Sequence, residues 1–228
     1  MNQPSGYHFK VIARIRSDFP DKFGIPRQSG LVEELVSEVV FEEPFRDPEC
    51  LRGLEEYSHL WLLWLFSANR SGGWNPTVRP PRLGGNTRMG VFATRSPYRP
   101  NPIGLSSVRL LDVVRTHDRG TVLRIGGADL MNGTPVLDIK PYIYSDIHEN
   151  AAGGFTDRVE KRRAEVECPP ALLQRLPEEK RAALLGILAE DPRPAYQDDP
   201  EREYGFGFAG KEIRFRVENG RLKVTDIH

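Results

Sequence analysis

The chain has 228 residues, 39% of them hydrophobic, and its 32 Lys and Arg balance 32 Asp and Glu. That is enough apolar sequence for one domain of about 150 residues with a smaller partner, so two unequal domains are expected. The longest apolar run, LWLLWLF at 60–66, falls far short of the roughly 18–20 residues that cross a bilayer. MNQPSGYHFK lacks the basic and apolar regions of a secretory signal, which predicts a cytoplasmic protein. Cys50 and Cys168 have no second Cys or His at metal-ligand spacing and read as free thiols rather than a disulfide or metal site.

In chain order, YHFKVIARIR alternates Phe9, Val11, Ala13 and Ile15 against exposed neighbours, the period-2 pattern of a half-buried strand. A proline and glycine loop follows, containing GIPRQSG at 24–30, which is either an ordinary turn or a stiff binding loop carrying Arg27, Gln28 and Ser29. LVEELVSEVVFEE has helical spacing at Leu31, Leu35 and Val39, but its β-branched second half predicts a strand. YSHLWLLWLF reads as a buried strand and GGWNPTVRPPRLGGN as a long irregular segment. MGVFAT, IGLSSVRLLDVV, TVLRIGG and PVLDIKPYI then give strands separated by turns, the spacing of a barrel or sandwich. The last of these follows an Asn132-Gly133 turn and carries Asp138 and Lys140 two apart, hence on one face.

From about residue 158 the pattern changes. Leu172, Leu173 and Leu176, then Ala183, Leu184, Ile187 and Leu188, form helical stripes separated by Pro177. The tail is two alternating runs joined by Asn219-Gly220, a favoured type I′ hairpin turn. The expected architecture is therefore mainly β, with a barrel-like domain over 1–157 and a small α+β domain over 158–228. GFGFAG at 205–210 matches the letters of a dinucleotide fingerprint, but a strand rather than a helix follows it, so no Rossmann site is expected.

The neutral net charge conceals an asymmetry. Between Glu56 and Asp112 there is no acid, while Arg70, Arg79, Arg82, Arg88, Arg95, Arg99 and Arg109 all fall in that interval. Arginine's planar fork suits phosphate and carboxylate, so this stretch is a candidate anion or nucleic-acid face. Within it, GVFATRSPYRPNPIGLS holds three prolines and two arginines in a stiff cationic loop.

PPRLGGNTRMGVFATRSPYRPNPIGLS, with GTPVLDIKPY, RGLEEYSHLWLL and DPRPAY at 191–196, is similar over nearly the whole chain to the TsaA/YaeB family of tRNA methyltransferases, also called TrmO. The resemblance implies a homodimer that transfers a methyl group from S-adenosylmethionine to N6-threonylcarbamoyladenosine at position 37, in the tRNA anticodon stem-loop. It also implies a non-Rossmann β-barrel with a smaller C-terminal domain. Carried over by motif, the cofactor residues are Arg27, Gln28, Ser29, Ser67, Ala68, Arg95, Leu105, Leu130, Met131, Asn132 and Gly133. The chain departs from the family pattern at Ser67 and Ala68, where polar residues such as His-Gln are frequent, and at Asn132, where an aspartate is common. Arg27 or Arg95 suits the cofactor carboxylate. Asp138, oriented by Lys140, is the candidate base, an ion pair bracing the barrel being the other explanation of that pair, and Tyr98 is a further catalytic candidate. Arg79, Arg82, Arg88 and Arg99 are expected to face RNA, with Trp74 or Tyr98 stacking on a splayed base. A cofactor-free RNA-binding module and a methyltransferase acting on a small molecule remain the other two readings.

Overall fold

Six strands whose residues alternate inward and outward close into an antiparallel barrel: β1 (Ala13–Arg16), β2 (Val36–Phe41), β3 (His59–Leu65), β6 (Ile103–Thr116), β7 (Gly120–Gly126) and β8 (Pro135–Pro141), in the order β1-β2-β7-β6-β3-β8. A separate two-residue ribbon pairs β4 (Thr77–Val78) with β5 (Met89–Gly90). This computed structural model describes residues 6–69, 73–83, 86–158, 163–193, 199 and 202–228. The barrel is filled by Ala13, Ile15, Val39, Leu60, Leu62, Val108, Leu123, Ile125 and Val136, each at most 2% exposed. Burial of a side chain of this kind stabilises by about 1.5–3 kcal/mol, which is why the alternating pattern sets the strand register.

The small domain is a four-stranded sheet, β10 (Tyr204–Phe208), β11 (Lys211–Glu218), β12 (Arg221–Ile227) and β9 (Glu165–Glu167), in the order β10-β11-β12-β9, with β9 parallel to β12. Asn219 and Gly220 between β11 and β12 both have positive φ, 53° and 77°, as the type I′ turn requires. GFGFAG lies on β10 and its turn into β11, as a fingerprint without a helix should. Of the two expected helices the first, α1 (Pro170–Leu173), is a single turn, and the second, α2 (Glu178–Ala189), starts after Pro177.

The two domains share packing. Ala183, Leu184, Ile187 and Leu188 of α2 form one cluster with Phe206, Phe208 and Phe215 of the small sheet, and Phe19, Val32 and Leu35 from the first domain complete it. Lys180 Nζ also pairs with Asp18 Oδ2 at 2.5 Å, with both side chains mostly buried.

Two strand expectations need correction. The first strand starts at Ala13, because its partner β2 ends at Phe41 opposite Ala13; Phe9 is left 68% exposed. MGVFAT contributes only the two residues of β5, after which residues 91–93 make a 3-10 turn and Phe92 is 77% exposed. Its partner strand is preceded by Pro76, whose nitrogen carries no hydrogen, so of the next pair only the bond from the Val91 N–H to the Pro76 carbonyl forms, at 3.0 Å. On β8 the pairing shifts between Leu63 and Trp64 of β3: Val136 faces Trp64, but Asp138 faces Leu63 and Lys140 faces Trp61. One extra residue flips the side-chain alternation, so Val136 and Ile139 point to the core while Asp138 and Lys140 go to the outer face. Both cysteines are free, Cys50 exposed and Cys168 half-buried.

Candidate active site

One end of the barrel opens into a cleft of about 450 Å³, within the range of pockets that hold small ligands. Four chain segments meet there. The loop after β1 brings Lys22, Arg27 and Gln28; the end of β3 and the 3-10 turn beyond it bring Trp64, Phe66, Ser67 and Ala68; the proline-rich loop and the start of β6 bring Arg95, Arg99, Ile103 and Leu105; the connection from β7 to β8 brings Asp129, Leu130 and Met131. Chain ends of several strands supply the site because only at the rim can side chains converge without filling the barrel.

The arginines are held in different ways. Arg95 Nη1 donates to Gln28 Oε1, and Gln28 Nε2 donates to the Arg27 carbonyl at 2.5 Å, so two loops distant in sequence are tied across the cleft. Arg27 Nη2 donates to the carbonyl of Arg193 at 3.3 Å, which ties it to the small domain. Arg193 in turn grips the Asp191 carboxylate with Nε at 2.8 Å and Nη2 at 2.7 Å. Arg99 turns back on its own loop, with Nη1 on the carbonyls of Thr94 at 3.0 Å and Ser96 at 3.3 Å. Prolines 97, 100 and 102 bring no N–H to this loop, and the guanidinium supplies donors that the backbone lacks. Arg99 therefore lines the cleft and pins the loop, where an outward RNA contact was expected.

Beneath the cleft lies a directed hydrogen-bond chain. Trp64 Nε1 donates to Ser106 Oγ at 3.0 Å, and Ser106 Oγ donates to Asp129 Oδ1 at 2.6 Å. An indole nitrogen only donates, so Ser106 accepts from Trp64 and its single proton is left for Asp129. Burial pushes the Asp129 carboxyl above its ordinary value; the Ser106 hydroxyl, the carboxyl's own backbone N–H, the charge of Arg95 and the backbone N–H of Ser29 pull it back only in part. Gly104 makes the arrangement possible, since a Cβ there would meet Cε2 of Trp64 at 2.2 Å.

Of the residues expected to hold the cofactor, Arg27, Gln28, Ser67, Ala68, Arg95, Leu105, Leu130 and Met131 line this cleft, whereas Ser29, Asn132 and Gly133 do not. Asn132 is spent on structure: its Oδ1 accepts from the Ser17 backbone N–H at 3.3 Å and its own N–H bonds the Phe19 carbonyl at 2.9 Å. Asp138 and Lys140 form an ion pair at 3.0 Å on the outer face of the barrel, away from the cleft, with both side chains about half exposed. Tyr98 is outside the lining too, 42% exposed on the loop. Trp74, Arg79 and Arg88 are exposed around the β4–β5 ribbon, where Arg88 Nη1 donates to Thr77 Oγ1 at 3.0 Å. Arg70, the side chain of Arg82, and residues 194–196 of the DPRPAY motif fall outside the described residues.

Asp129 and the Trp64–Ser106 pair behind it are the site residues that sequence reasoning missed. The one available signal was an acid two residues after the apolar strand TVLRIGG and three before an Asn-Gly turn, which places it at the barrel rim.

Models of the tRNA-methyltransferase O N-terminal domain and the TrmO C-terminal domain match residues 14–147 and 161–228. This chain belongs to the TrmO family. A curated relative from Escherichia coli K12 named tRNA (adenine(37)-N6)-methyltransferase is 41% identical over 229 residues, covering 96% of this chain and 97% of its own. A relative of the same name from Eikenella corrodens is 48% identical over 75% of this chain and 97% of its own. Among solved structures, TrmO from Pseudomonas aeruginosa superposes with a TM-score of 0.78 at 33% identity over 98% of both chains. The barrel and small domain described above are thus a TrmO fold, and the cleft at the barrel rim is the candidate active site of a TrmO-family methyltransferase.

Proposed function

We propose that this chain is an S-adenosylmethionine-dependent tRNA methyltransferase acting on N6 of adenosine 37, in its N6-threonylcarbamoyl form, within the anticodon stem-loop. The observation that carries the reading is the full-length relationship to the E. coli enzyme of that name, 96% of one chain against 97% of the other. The donor set of the cleft fits the cofactor. Its lining holds the cations Lys22, Arg27, Arg95 and Arg99 for a carboxylate and the apolar Leu65, Phe66, Ile103, Leu105 and Met131 for a purine. When bound, the cofactor supplies an electrophilic methyl group on a sulfonium.

The protein's own part is positional. Arg27 and Arg95, each fixed by a hydrogen bond to another loop or domain, are the partners for the amino-acid end. Holding acceptor nitrogen, methyl carbon and sulfur in line is worth up to about 7–11 kcal/mol of the barrier. Trp74, Arg79 and Arg88 form an exposed aromatic and cationic surface suited to a single-stranded RNA loop. We extend the reading to a homodimer working in the cytoplasm; the dimer rests on the family resemblance alone, and no helix among the described residues is long and apolar enough to cross a membrane.

The test is nucleoside mass spectrometry of tRNA from cells lacking the protein. Loss of the methylated threonylcarbamoyladenosine, restored by the gene, is the expected result; an unchanged peak refutes the reading. Calorimetry with S-adenosylmethionine eliminates the cofactor-free alternative if heat of binding is seen.

A further inference from the structure

Methyl transfer to an N–H nitrogen must dispose of a proton. The acceptor N6 starts with one hydrogen, forms a bond to the methyl carbon as the carbon–sulfur bond breaks, and ends neutral only if that hydrogen leaves as a proton. Sulfur departs as a neutral thioether, so it takes no proton, and a protein or substrate group near N6 must accept it. The nitrogen's lone pair is delocalised into purine and carbamoyl, so removing the proton as the bond forms also makes it a better nucleophile.

The cleft narrows the choice of acceptor. Its described lining contains no His, Cys or Tyr, and its charged side chains are Lys22, Arg27, Arg95, Arg99 and Asp129. Ammonium and guanidinium groups are donors with no acceptor site. Asp129 is therefore the one lining side chain able to take a proton. It comes from the β7–β8 connection and is faced by Ser106 of β6, by the Ser29 backbone N–H of the loop after β1, and by the charge of Arg95 from the proline-rich loop. Ser106 holds Oδ1 at 2.6 Å and is itself held by Trp64, so the carboxyl has a fixed orientation.

We propose that Asp129 is the general base of this TrmO-family chain, taking the N6 proton on its carboxylate as the methyl group arrives, with Ser106 and Trp64 as positioning residues. The inference rests on the functional reading above and replaces Asp138, which the β8 bulge carries to the outer face. The elevated proton affinity that burial gives this carboxyl suits the task, since a base works best when its pKa approaches the working pH.

The experiment compares wild type, Asp129→Asn and Ser106→Ala in single-turnover methyl transfer to tRNA carrying unmethylated threonylcarbamoyladenosine, across pH, with calorimetry of S-adenosylmethionine binding alongside. Wild type should show an acidic limb that rises to a plateau. Asp129→Asn should lose ~10²–10⁴-fold in rate and lose the limb, with cofactor affinity unchanged. Ser106→Ala should keep the limb but move it to higher pH, because the hydroxyl favours the ionised carboxyl; this variant keeps the proposal open to test should the Asn variant fold poorly. An Asp129→Asn protein that transfers methyl at the wild-type rate overturns the proposal and assigns the proton to the substrate's own carboxylate or to water. A variant that is slow only because it no longer binds cofactor also overturns it, making Asp129 a cofactor ligand. Wild-type protein that transfers nothing to this tRNA refutes the functional reading itself, whatever the variants do.

Discussion

Adding one methyl group at Gly104 should unsettle the floor of the cleft. The new Cβ would lie 2.2, 2.4 and 2.6 Å from Cε2, Cζ2 and Cδ2 of Trp64, against about 3.5–4.0 Å for carbon atoms in contact. The indole is held in place: it is 8% exposed and packs edge-on against Phe66 with centroids 4.4 Å apart, so it can yield only toward the cleft and away from Ser106. Overpacking of this kind costs about 1–3 kcal/mol. A displaced indole also drops its bond to Ser106, and an orphaned buried N–H costs about 1–3 kcal/mol more. Gly104→Ala is therefore expected to lower stability by about 2–6 kcal/mol, although alanine is ordinarily the better strand residue by about 0.5–1 kcal/mol. Urea unfolding at constant slope measures it. A Trp64→Leu background removes all three clashing atoms, so there the same substitution should cost less than about 1 kcal/mol, and the difference is the coupling between the pair. An unchanged midpoint for Gly104→Ala in the wild-type background would refute the packing argument.

Leu184→Ala removes a fully buried side chain from the core shared by both domains and should cost about 2–5 kcal/mol, with calorimetry still showing one transition; two separated transitions would mean the domains do not share that core. Arg95→Ala should weaken S-adenosylmethionine binding about tenfold or more, as loss of a charged hydrogen bond does, while Arg88→Ala leaves it intact and reduces the salt slope of tRNA binding by about 0.7–0.9. Calorimetry and filter binding separate the two, and cofactor binding that falls with Arg88 would break this division of labour. For stability against pH, the folded protein holds the Asp129 proton more tightly than the unfolded chain, whose carboxyl keeps its ordinary 3.8. Its contribution is full below pH 3.8 and is lost as pH rises through the raised folded value. Asp129→Asn does not titrate there and should gain on wild type as pH rises across that window, as urea midpoints at both ends of it would record; an Asn variant that loses ground on wild type as pH rises contradicts the sign.

How much was legible follows from which forces act locally. β-branched and apolar runs of strand length, set apart by turn residues, gave the barrel strands β2, β3, β6, β7 and β8, because such local composition is written along the chain. Asn219-Gly220 gave the terminal hairpin, since positive φ at two successive positions is cheap only for such residues. The acid-free stretch and its stiff loop brought out Arg95, which lines the cleft. Asp138 lies on the outer face because a single bulged residue on β8 reverses which side chains face out, and a bulge leaves no mark in the alternation of that strand. Arg99 was placed on the outside because a sequence does not say which loop carbonyls lack donors. Asp129 was invisible for a third reason: its surroundings come from Ser106, 23 positions away, from Trp64, 42 positions from Ser106, and from the Ser29 backbone N–H of the loop before β2. The sequence by itself determined the strands, the terminal hairpin and the cationic loop, because these depend on neighbours along the chain. Which carboxylate faces the cleft was decided only when the closed barrel brought distant strand ends to one rim.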